Sequence, residues 1–571
     1  MPHLRSRLAS CLFLLGMASA LAGMSPALAE NQRALNAANV PQLKLMKALP
    51  TQRTGAHTGG AVVVGDTAFL VTPFPQAVYA IALDGAGFPV RWQFAPAVKP
   101  EAGALPNAGT ATPAVADGRV YFTTSDGQAF AIDAATGRVL WQVTLADPGQ
   151  GEAFIGTPLI ADAQVILGTG IDDFGVRGAI VALDAATGRV AWRHTNVGSD
   201  GDVGITAGFR SLYVQPEEPD AGIASWPPDT WQNGGGGLSG GLVYDAGQRL
   251  VIHGTGHPAP WQPDARAGDN LWTSGLFARD AATGEARWFD PINPHDLYGL
   301  GAGGSLLQAD MVWRGERRRL LLHPSANGYV YVLDRTDGRL LDVRGFVHTN
   351  ATTGVDVSIG ALHRDAGKDV GTNSTTRDIC PGWPGATGAG APDTGAAAFL
   401  PETGLLYVSA NLLCMDLEPR QANFIPGTPF TGANIRMVGD LPRGALIAWD
   451  VTAAKLAWRV DETFPVRSGV LATADGVVFY GTLDGDFKAV DGRSGRKLWQ
   501  FHASSGIVSQ PTAFRLPDGR PGVMVLAGAG GAANPDIDVR DATAAHGAGN
   551  ALRDLKPPRH PDGMLYVFAL P

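Results

Sequence analysis

The sequence predicts an all-β protein built as a β-propeller, and three observations carry that prediction. The first is a repeat: Ala-x-Asp-x-x-x-Gly-x-x-x-Trp, or a close variant, returns along most of the chain. The second is its spacing of about 40 to 55 residues, or roughly twice that, which is the period of a propeller blade. The third is composition. Charged residues are only 17%, against 75 Gly and 40 Pro, which suits many short strands joined by turns and not a helical bundle or a disordered chain.

The elements of a blade follow from the repeat. Clean copies are Ala131–Trp141, Ala182–Trp192 and Ala278–Trp288; looser ones are Ala82–Trp92, Ala448–Trp458 and Ala489–Trp499; Val332–Leu341 lacks the tryptophan. An alternating apolar run such as Arg119–Phe122 or Val165–Leu167 precedes each copy as a strand. Asp and Thr-Gly then shape a hairpin turn, and a second strand runs on to the tryptophan. That indole is expected to cover the next blade. A lone four-stranded sheet cannot bury both faces, so the blades must stack in a ring.

The N-terminus reads as a secretory signal over residues 1–29. Arg5 and Arg7 form its basic region, Leu8 to Gly23 its apolar core, and Ala27-Leu28-Ala29 a cleavage site before Glu30. Residues 30–571 are then a single propeller exported to the periplasm. No later run approaches the roughly 20 apolar residues of a membrane span, so no transmembrane segment is expected. A net charge of −9 without a basic stripe argues against a nucleic-acid partner. Two cysteines remain after cleavage, Cys380 and Cys414, and in an oxidising compartment an even pair most simply forms one disulfide. No Cys-x-x-Cys-His occurs, so no covalently attached haem is expected.

Beyond the repeat, a series of longer strings occurs in order. They include Thr72-Pro73-Phe74-Pro75, Gly175-Val176-Arg177-Gly178, Trp226 to Trp231 followed by four glycines, and Gly254 to Trp261 (GTGHPAPW). Gly268 to Thr273 (GDNLWT), Pro294-His295-Asp296, Asp378-Ile379-Cys380-Pro381, Cys414-Met415-Asp416 and Tyr480 to Gly485 (YGTLDG) continue it. On these strings the chain resembles the PQQ-dependent (quinoprotein) alcohol dehydrogenases, the methanol dehydrogenase branch most closely. The resemblance implies an eight-bladed propeller holding pyrroloquinoline quinone (PQQ) and a calcium or lanthanide ion on its axis. It also implies electron transfer to a cytochrome c, and a Cys380–Cys414 disulfide of structural purpose.

The resemblance assigns a role to each axial position, and most of the residues found there cannot fill it. The base, an aspartate in the family, falls on Gly299, and the extra aspartate of lanthanide-using relatives on Gly301. Glycine cannot accept a proton. The metal-binding glutamate is Asp173, one methylene shorter, and the metal-binding asparagine is His257, a poor ligand type for a hard cation. The tryptophan under the quinone is Ser239, and the adjacent-cysteine pair above it falls near Ala102-Gly103. Cationic positions read Ala108 and Ala326, while Thr58 and Ile155 replace two further polar contacts. Of the cofactor contacts, Asn411 matches.

Three readings follow. In the first, the PQQ and metal site is largely stripped and the propeller binds a small-molecule ligand or a periplasmic protein, with Gly299, Ser239, Ala108 and Ala326 leaving an enlarged axial cavity. In the second, the chain is an active alcohol dehydrogenase with a rearranged site, Asp296 being the candidate base and Asp172 and Asp173 spare carboxylates. In the third, His57, His257 and His295 join Asp173 around a different metal.

Overall fold

The computed structural model describes residues 35–571 apart from 85–86, 101–102, 104, 106–111, 213–218, 373, 388–396, 530–551, 553 and 557–561. The expected signal segment 1–29, and with it Ala102 and Ala108, lies outside the described residues. Among the described residues, seven sheets of four strands and one of five form the body. The first runs from Val62–Val64 to Val90–Phe94, the second from Ala114–Ala116 to Val139–Thr144, and the third from Phe154–Ala161 to Val190–Thr195. The fourth, Leu238–Asp245 to Ala286–Pro291, gains Ile205–Ser211 as a fifth, parallel edge strand. The fifth spans Leu307–Trp313 to Leu340–Gly345, and the sixth Ala397–Leu400 to Lys455–Glu462. The seventh spans Leu471–Ala472 to Lys497–His502. The last joins Thr512–Arg515, Pro521–Ala527 and Met564–Ala569 to the N-terminal strand Lys44–Pro50. That pairing is antiparallel, from Lys44 opposite Ala569 to Pro50 opposite Met564, so the two ends of the chain share one sheet.

Each sheet shares an apolar core with the next. Val71 and Val78 of the first pack with Phe122 and Phe130 of the second. The remaining neighbours do the same in sequence order. Leu70 and Ile81 of the first sheet also pack with Met524 and Val567 of the last. The sheets therefore close into a ring, as burial of both faces demands.

The repeat does what its spacing predicts. Asp133 accepts hydrogen bonds from the Thr136 N–H (2.8 Å) and hydroxyl (2.7 Å), fixing the turn, and Gly137 follows at φ +71°. The indole N–H of Trp92 donates to the Ala134 carbonyl at 3.0 Å, and its ring covers Gly137 of the following sheet. Trp141 caps Ala185 and Gly188 in the same way, and Trp458 caps Gly492 and Gly495. These turns lie between third and fourth strands. The connections between second and third strands, and from sheet to sheet, lie at the opposite end of the ring.

That opposite end carries the insertions. One is the hairpin Thr352–Asp356 and Ala361–Arg364; the other is a sheet of Thr376–Ile379, Cys414–Pro419 and Ala433–Val438. A Cys380–Cys414 disulfide, spanning 34 positions of sequence, joins the first two strands of that sheet. One apolar cluster draws on the connections of five sheets at once, through Trp261, Leu300, Ala326, Leu413, Phe464, Leu483 and Val508. Side chains from so many sheets meet only near the ring axis. Leu552 and Leu555, from the connection between the last two strands, join it. Among the described residues no helix is long and apolar enough to cross a membrane.

Candidate functional site

The axial site is framed by loops of the third, fourth and fifth sheets. Asp172–Phe174 forms a short 3-10 turn closed by Gly175 at φ +64°. Its peptide neighbours are the glycine run 234–237 and the string 254–261. Gly178 and Gly237 approach so closely that a Cβ on Gly178 would meet the Gly237 Cα, which is why this string tolerates nothing larger.

Asp172 and Asp173 point to different partners. Asp172 Oδ1 accepts the Gly237 N–H at 2.6 Å, and its carboxyl lies flat against Gly256. Asp173 Oδ1 accepts the indole N–H of Trp261 at 3.0 Å, while its carbonyl accepts the Phe430 N–H at 2.5 Å. His257 lies between them, with Nε2 3.9 Å from Asp172 Oδ2 and 3.6 Å from Asp173 Oδ1. Its Nδ1–H donates to the Pro258 carbonyl at 3.2 Å, which leaves Nε2 facing the carboxylates. Burial alone would lower the imidazole, but the carboxylates of Asp172, Asp173 and Asp296 outweigh it and hold His257 above its ordinary value. Burial raises Asp172 to about 6 against the pull of His257.

Asp296 clamps its own loop. Oδ1 accepts the Tyr298 N–H at 2.9 Å; Oδ2 accepts the Gly301 N–H at 2.7 Å and the Ser274 hydroxyl at 3.3 Å. Arg266, fully buried, holds the same loop by donating to the carbonyls of Pro260 (2.6 Å) and Asp296 (2.5 Å). Asp296 also borders a shallow cleft, of about 10 Å³, with His295, Tyr298 and Arg364.

The room expected above Gly299 is not there. Gly299 sits at φ +65°, and a Cβ built on it would overlap Cζ2, Cη2 and Cε2 of the Trp261 ring. Trp261 is 1% exposed and leads the axial cluster. Ala326 is likewise walled in: a Cβ on Gly385 would lie 2.5 Å from the Ala326 Cβ. Small residues here are matched by backbone and indole brought close, and the expectation of an enlarged cavity at these two positions is corrected accordingly. Close packing leaves no void when a loop can move in to fill it.

Asn411 donates to the Gly385 carbonyl and accepts the Leu413 N–H, both at 3.1 Å, and is 1% exposed. Its amide is thus spent on holding two axial loops together. Ser239 lies opposite Gly254 where the strand register breaks before Leu242. Thr58 is buried. His57 Nδ1–H donates to the Gly55 carbonyl (2.9 Å), Nε2 lies in hydrogen-bond contact with Thr51 Oγ1 (2.8 Å), and burial lowers the imidazole to about 4. His295 Nδ1 bonds the Gly268 carbonyl at 2.5 Å. Among the described residues, the one group of three His, Cys, Asp or Glu ligand atoms lying within 4.8 Å of one another is Asp378, Cys380 and Cys414. Its two sulfurs are joined in the disulfide. The three histidines are therefore not brought into one coordination sphere.

Two features escaped sequence reasoning. Trp261 was visible in the string GTGHPAPW, but nothing in the string says that its ring lies over Gly299. Arg443 falls in no motif, and its burial over the Phe464 ring is a tertiary fact.

Comparison with known proteins agrees with this architecture. The family described as "Outer membrane protein assembly factor BamB" matches residues 33–208 and 356–531, and "Glucose/ethanol/alcohol dehydrogenase, beta-propeller domain" matches 146–344. The lanthanide-dependent methanol dehydrogenase of Methylacidiphilum fumariolicum is 35% identical over 553 residues, covering 94% of this chain and 89% of that protein. Methanol dehydrogenase [cytochrome c] subunit 1 of Methylorubrum extorquens is 33% identical over 560 residues, covering 94% and 88%. A solved structure of a europium-containing methanol dehydrogenase superposes with a TM-score of 0.88 at 34% identity, covering 94% of this chain and 95% of that one. The chain belongs to the PQQ-dependent alcohol dehydrogenase family, with methanol dehydrogenases among its relatives.

Proposed function

We propose that this protein is an exported quinoprotein-type propeller whose PQQ and metal site is stripped, and which works as a binding module for a small-molecule ligand or a periplasmic protein. The observation that carries this reading is the Trp261 ring lying over Gly299 and hydrogen-bonded to Asp173. It places an indole where the family's base would stand and engages the carboxylate that a metal would need.

The remaining donors support the same reading. Asp172 is engaged with Gly237 N–H, and His257 is held towards its cationic form, which repels a metal ion instead of ligating it. Asn411, the one matching cofactor contact, is spent on Gly385 and Leu413. Neither calcium nor a lanthanide, both oxygen-seeking, fits a set of two engaged carboxylates and an imidazole. Periplasmic location is supported by Arg5, Arg7, the apolar run to Gly23 and the Ala27-Leu28-Ala29 site.

A second reading is an active PQQ- and calcium- or lanthanide-dependent alcohol dehydrogenase passing electrons to a cytochrome c. Identity of 35% across 94% of the chain to a lanthanide-dependent methanol dehydrogenase favours it. Its base would be Asp296, whose oxygens must first leave Tyr298, Gly301 and Ser274. Calorimetric titration with PQQ, in calcium and then in lanthanum, separates the two. No binding with either metal is expected; micromolar binding with dye-linked alcohol oxidation would establish the second reading.

A further inference from the structure

We infer that the seam between the fourth and fifth sheets is a proton-operated joint: the Asp290 carboxyl lets it close while protonated, and loss of that proton frees the axial loop 292–301. The inference goes beyond the proposed function and holds whether the axial site is stripped or active.

Strand register places Asp290 in that seam. It lies in Ala286–Pro291 opposite Leu276, two residues on from Trp288, which stands opposite Ala278. Side chains alternate along a strand, so Asp290 shares the face of Trp288, Leu276 and Ala278. That face packs on Leu321, Tyr331 and Leu333 of the fifth sheet. His323, two residues from Leu321, stands opposite Tyr331 with the ring centroids 6.0 Å apart. Asp290 and His323 are 0% exposed and Tyr331 is 2% exposed, and the Asp290 carboxyl acts electrostatically on the Tyr331 hydroxyl.

The groups around Asp290 are unsuited to holding an anion. Both of its oxygens are buried with no hydrogen-bond partner among the described residues. The Tyr331 hydroxyl donates instead to the Ile292 carbonyl at 3.4 Å, and accepts the Asn327 amide at 2.7 Å. His323 donates its Nδ1–H to the Ser305 carbonyl at 3.1 Å, which leaves Nε2 a buried acceptor. Burial lowers this imidazole to about 4, so it brings no positive charge at neutral pH. Tyr329 is engaged with Thr349 and Thr352. On the fourth sheet Arg279 is taken up by His253 and the carbonyls of Val203 and Gly284, and Trp288 turns its ring over Gly338 at the far end of the seam. A carboxylate buried without donor or cation is costly. Asp290 therefore keeps its proton in the closed seam, burial alone holding its carboxyl well above the usual range.

The axial loop begins where the strand of Asp290 ends, and the fifth sheet holds its first residues. Tyr331 grips the Ile292 carbonyl, and the Asn327 amide donates to Asn293 Oδ1 at 2.9 Å. Asn293 in turn donates to the Gly301 carbonyl, and the Gly301 N–H to Asp296. An ionised Asp290 must reach water, and doing so pulls Pro291–Asn293 off these partners. The loop that carries Asp296 and Gly299 is then released. Once open, the carboxyl returns towards its ordinary value of 3.8. Each opening above that pH gives up one proton, so opening becomes up to about tenfold easier per pH unit until the raised value is reached.

The test is hydrogen–deuterium exchange of the full chain and of Asp290→Asn, of nearly the same shape but without a titrating proton, between about pH 5 and pH 8. Comparing the two proteins at each pH cancels the intrinsic pH dependence of exchange. Over residues 286–301 the native-to-variant rate ratio is expected to climb with pH, by up to about tenfold per unit, while it stays level over residues 62–94 of the first sheet. A level ratio over 286–301, or an equal climb in the first sheet, overturns the joint. Asp290→Leu serves as the reference if the amide is not tolerated. Infrared spectra supply a second readout: a protonated-carboxyl band should persist in the native protein at neutral pH and vanish in the variant, and its absence from the native protein overturns the inference. Tyr331→Phe removes the grip on Ile292 and should speed exchange over 292–301 even at pH 5. No change there overturns the coupling to the loop.

Discussion

Trp261 donates its indole N–H to Asp173 at 3.0 Å while its ring covers Gly299, so one side chain engages both residues at once. The two contacts are coupled. The hydrogen bond orients the indole plane, and the missing Cβ at Gly299 makes room for its edge.

This coupling predicts a non-additive pair of substitutions. Gly299→Ala should cost about 2–4 kcal/mol in an otherwise native chain, from the clash with Trp261 together with strain at φ +65°. In a Trp261→Leu background the same change should cost only about 1–2 kcal/mol, since the clash is gone. Urea unfolding of the four proteins of the cycle measures both. Equal costs in the two backgrounds would mean that the ring does not rest on Gly299.

The Asp172 carboxyl sets a pH dependence. Its pKa is raised from 3.8 to about 6, so the folded state binds this proton more tightly than the unfolded state. The corresponding stability is fully present below 3.8 and is lost as pH rises through about 6. At about 1.4 kcal/mol per pKa unit the loss is roughly 3 kcal/mol. Asp172→Asn keeps the acceptor for Gly237 N–H and removes the titration. The stability of the native protein relative to this variant should therefore fall between pH 4 and pH 7. A difference that rises or stays flat would show that His257 keeps Asp172 ionised throughout.

The indole–turn contacts predict a contrast between glycines of similar backbone conformation. Gly338 sits at φ +79°, with the Trp288 ring 2.7 Å from where its Cβ would be; Gly118 sits at φ +70° with nothing within 4 Å. Gly118→Ala should cost about 1 kcal/mol from backbone strain alone, and Gly338→Ala about 1–3 kcal/mol more from displaced packing. Thermal unfolding of the two variants decides it, and equal midpoints would contradict the docking.

The Cys380–Cys414 bond closes a loop of 34 residues over the axial end. Opening it with reductant should lower stability by about 3–4 kcal/mol, chiefly by freeing the unfolded chain. The Cys380→Ser/Cys414→Ser protein should match the reduced native protein. A variant as stable as the oxidised protein would show that the inserted sheet is held by packing alone.

Most of the fold was legible in the linear pattern because the pattern is local. Asp133, Thr136 and Gly137 shape their turn within five residues, and Trp141 meets the equivalent turn of the next sheet one period on, at Ala185 and Gly188. Hairpin registers, docking tryptophans and ring closure all derive from contacts that the period itself specifies. The family strings likewise pointed to Gly299, Asp173, His257, Ser239, Ala326 and Asn411 as axial positions.

What fills the site was decided only by the tertiary structure. Residue 261 reaches residue 299, 443 reaches 554, and 411 holds 385, and no repeat or motif encodes such pairings. Small residues at 299 and 326 read in sequence as empty space, yet backbone and indole close on them because a packed interior is favoured over a void.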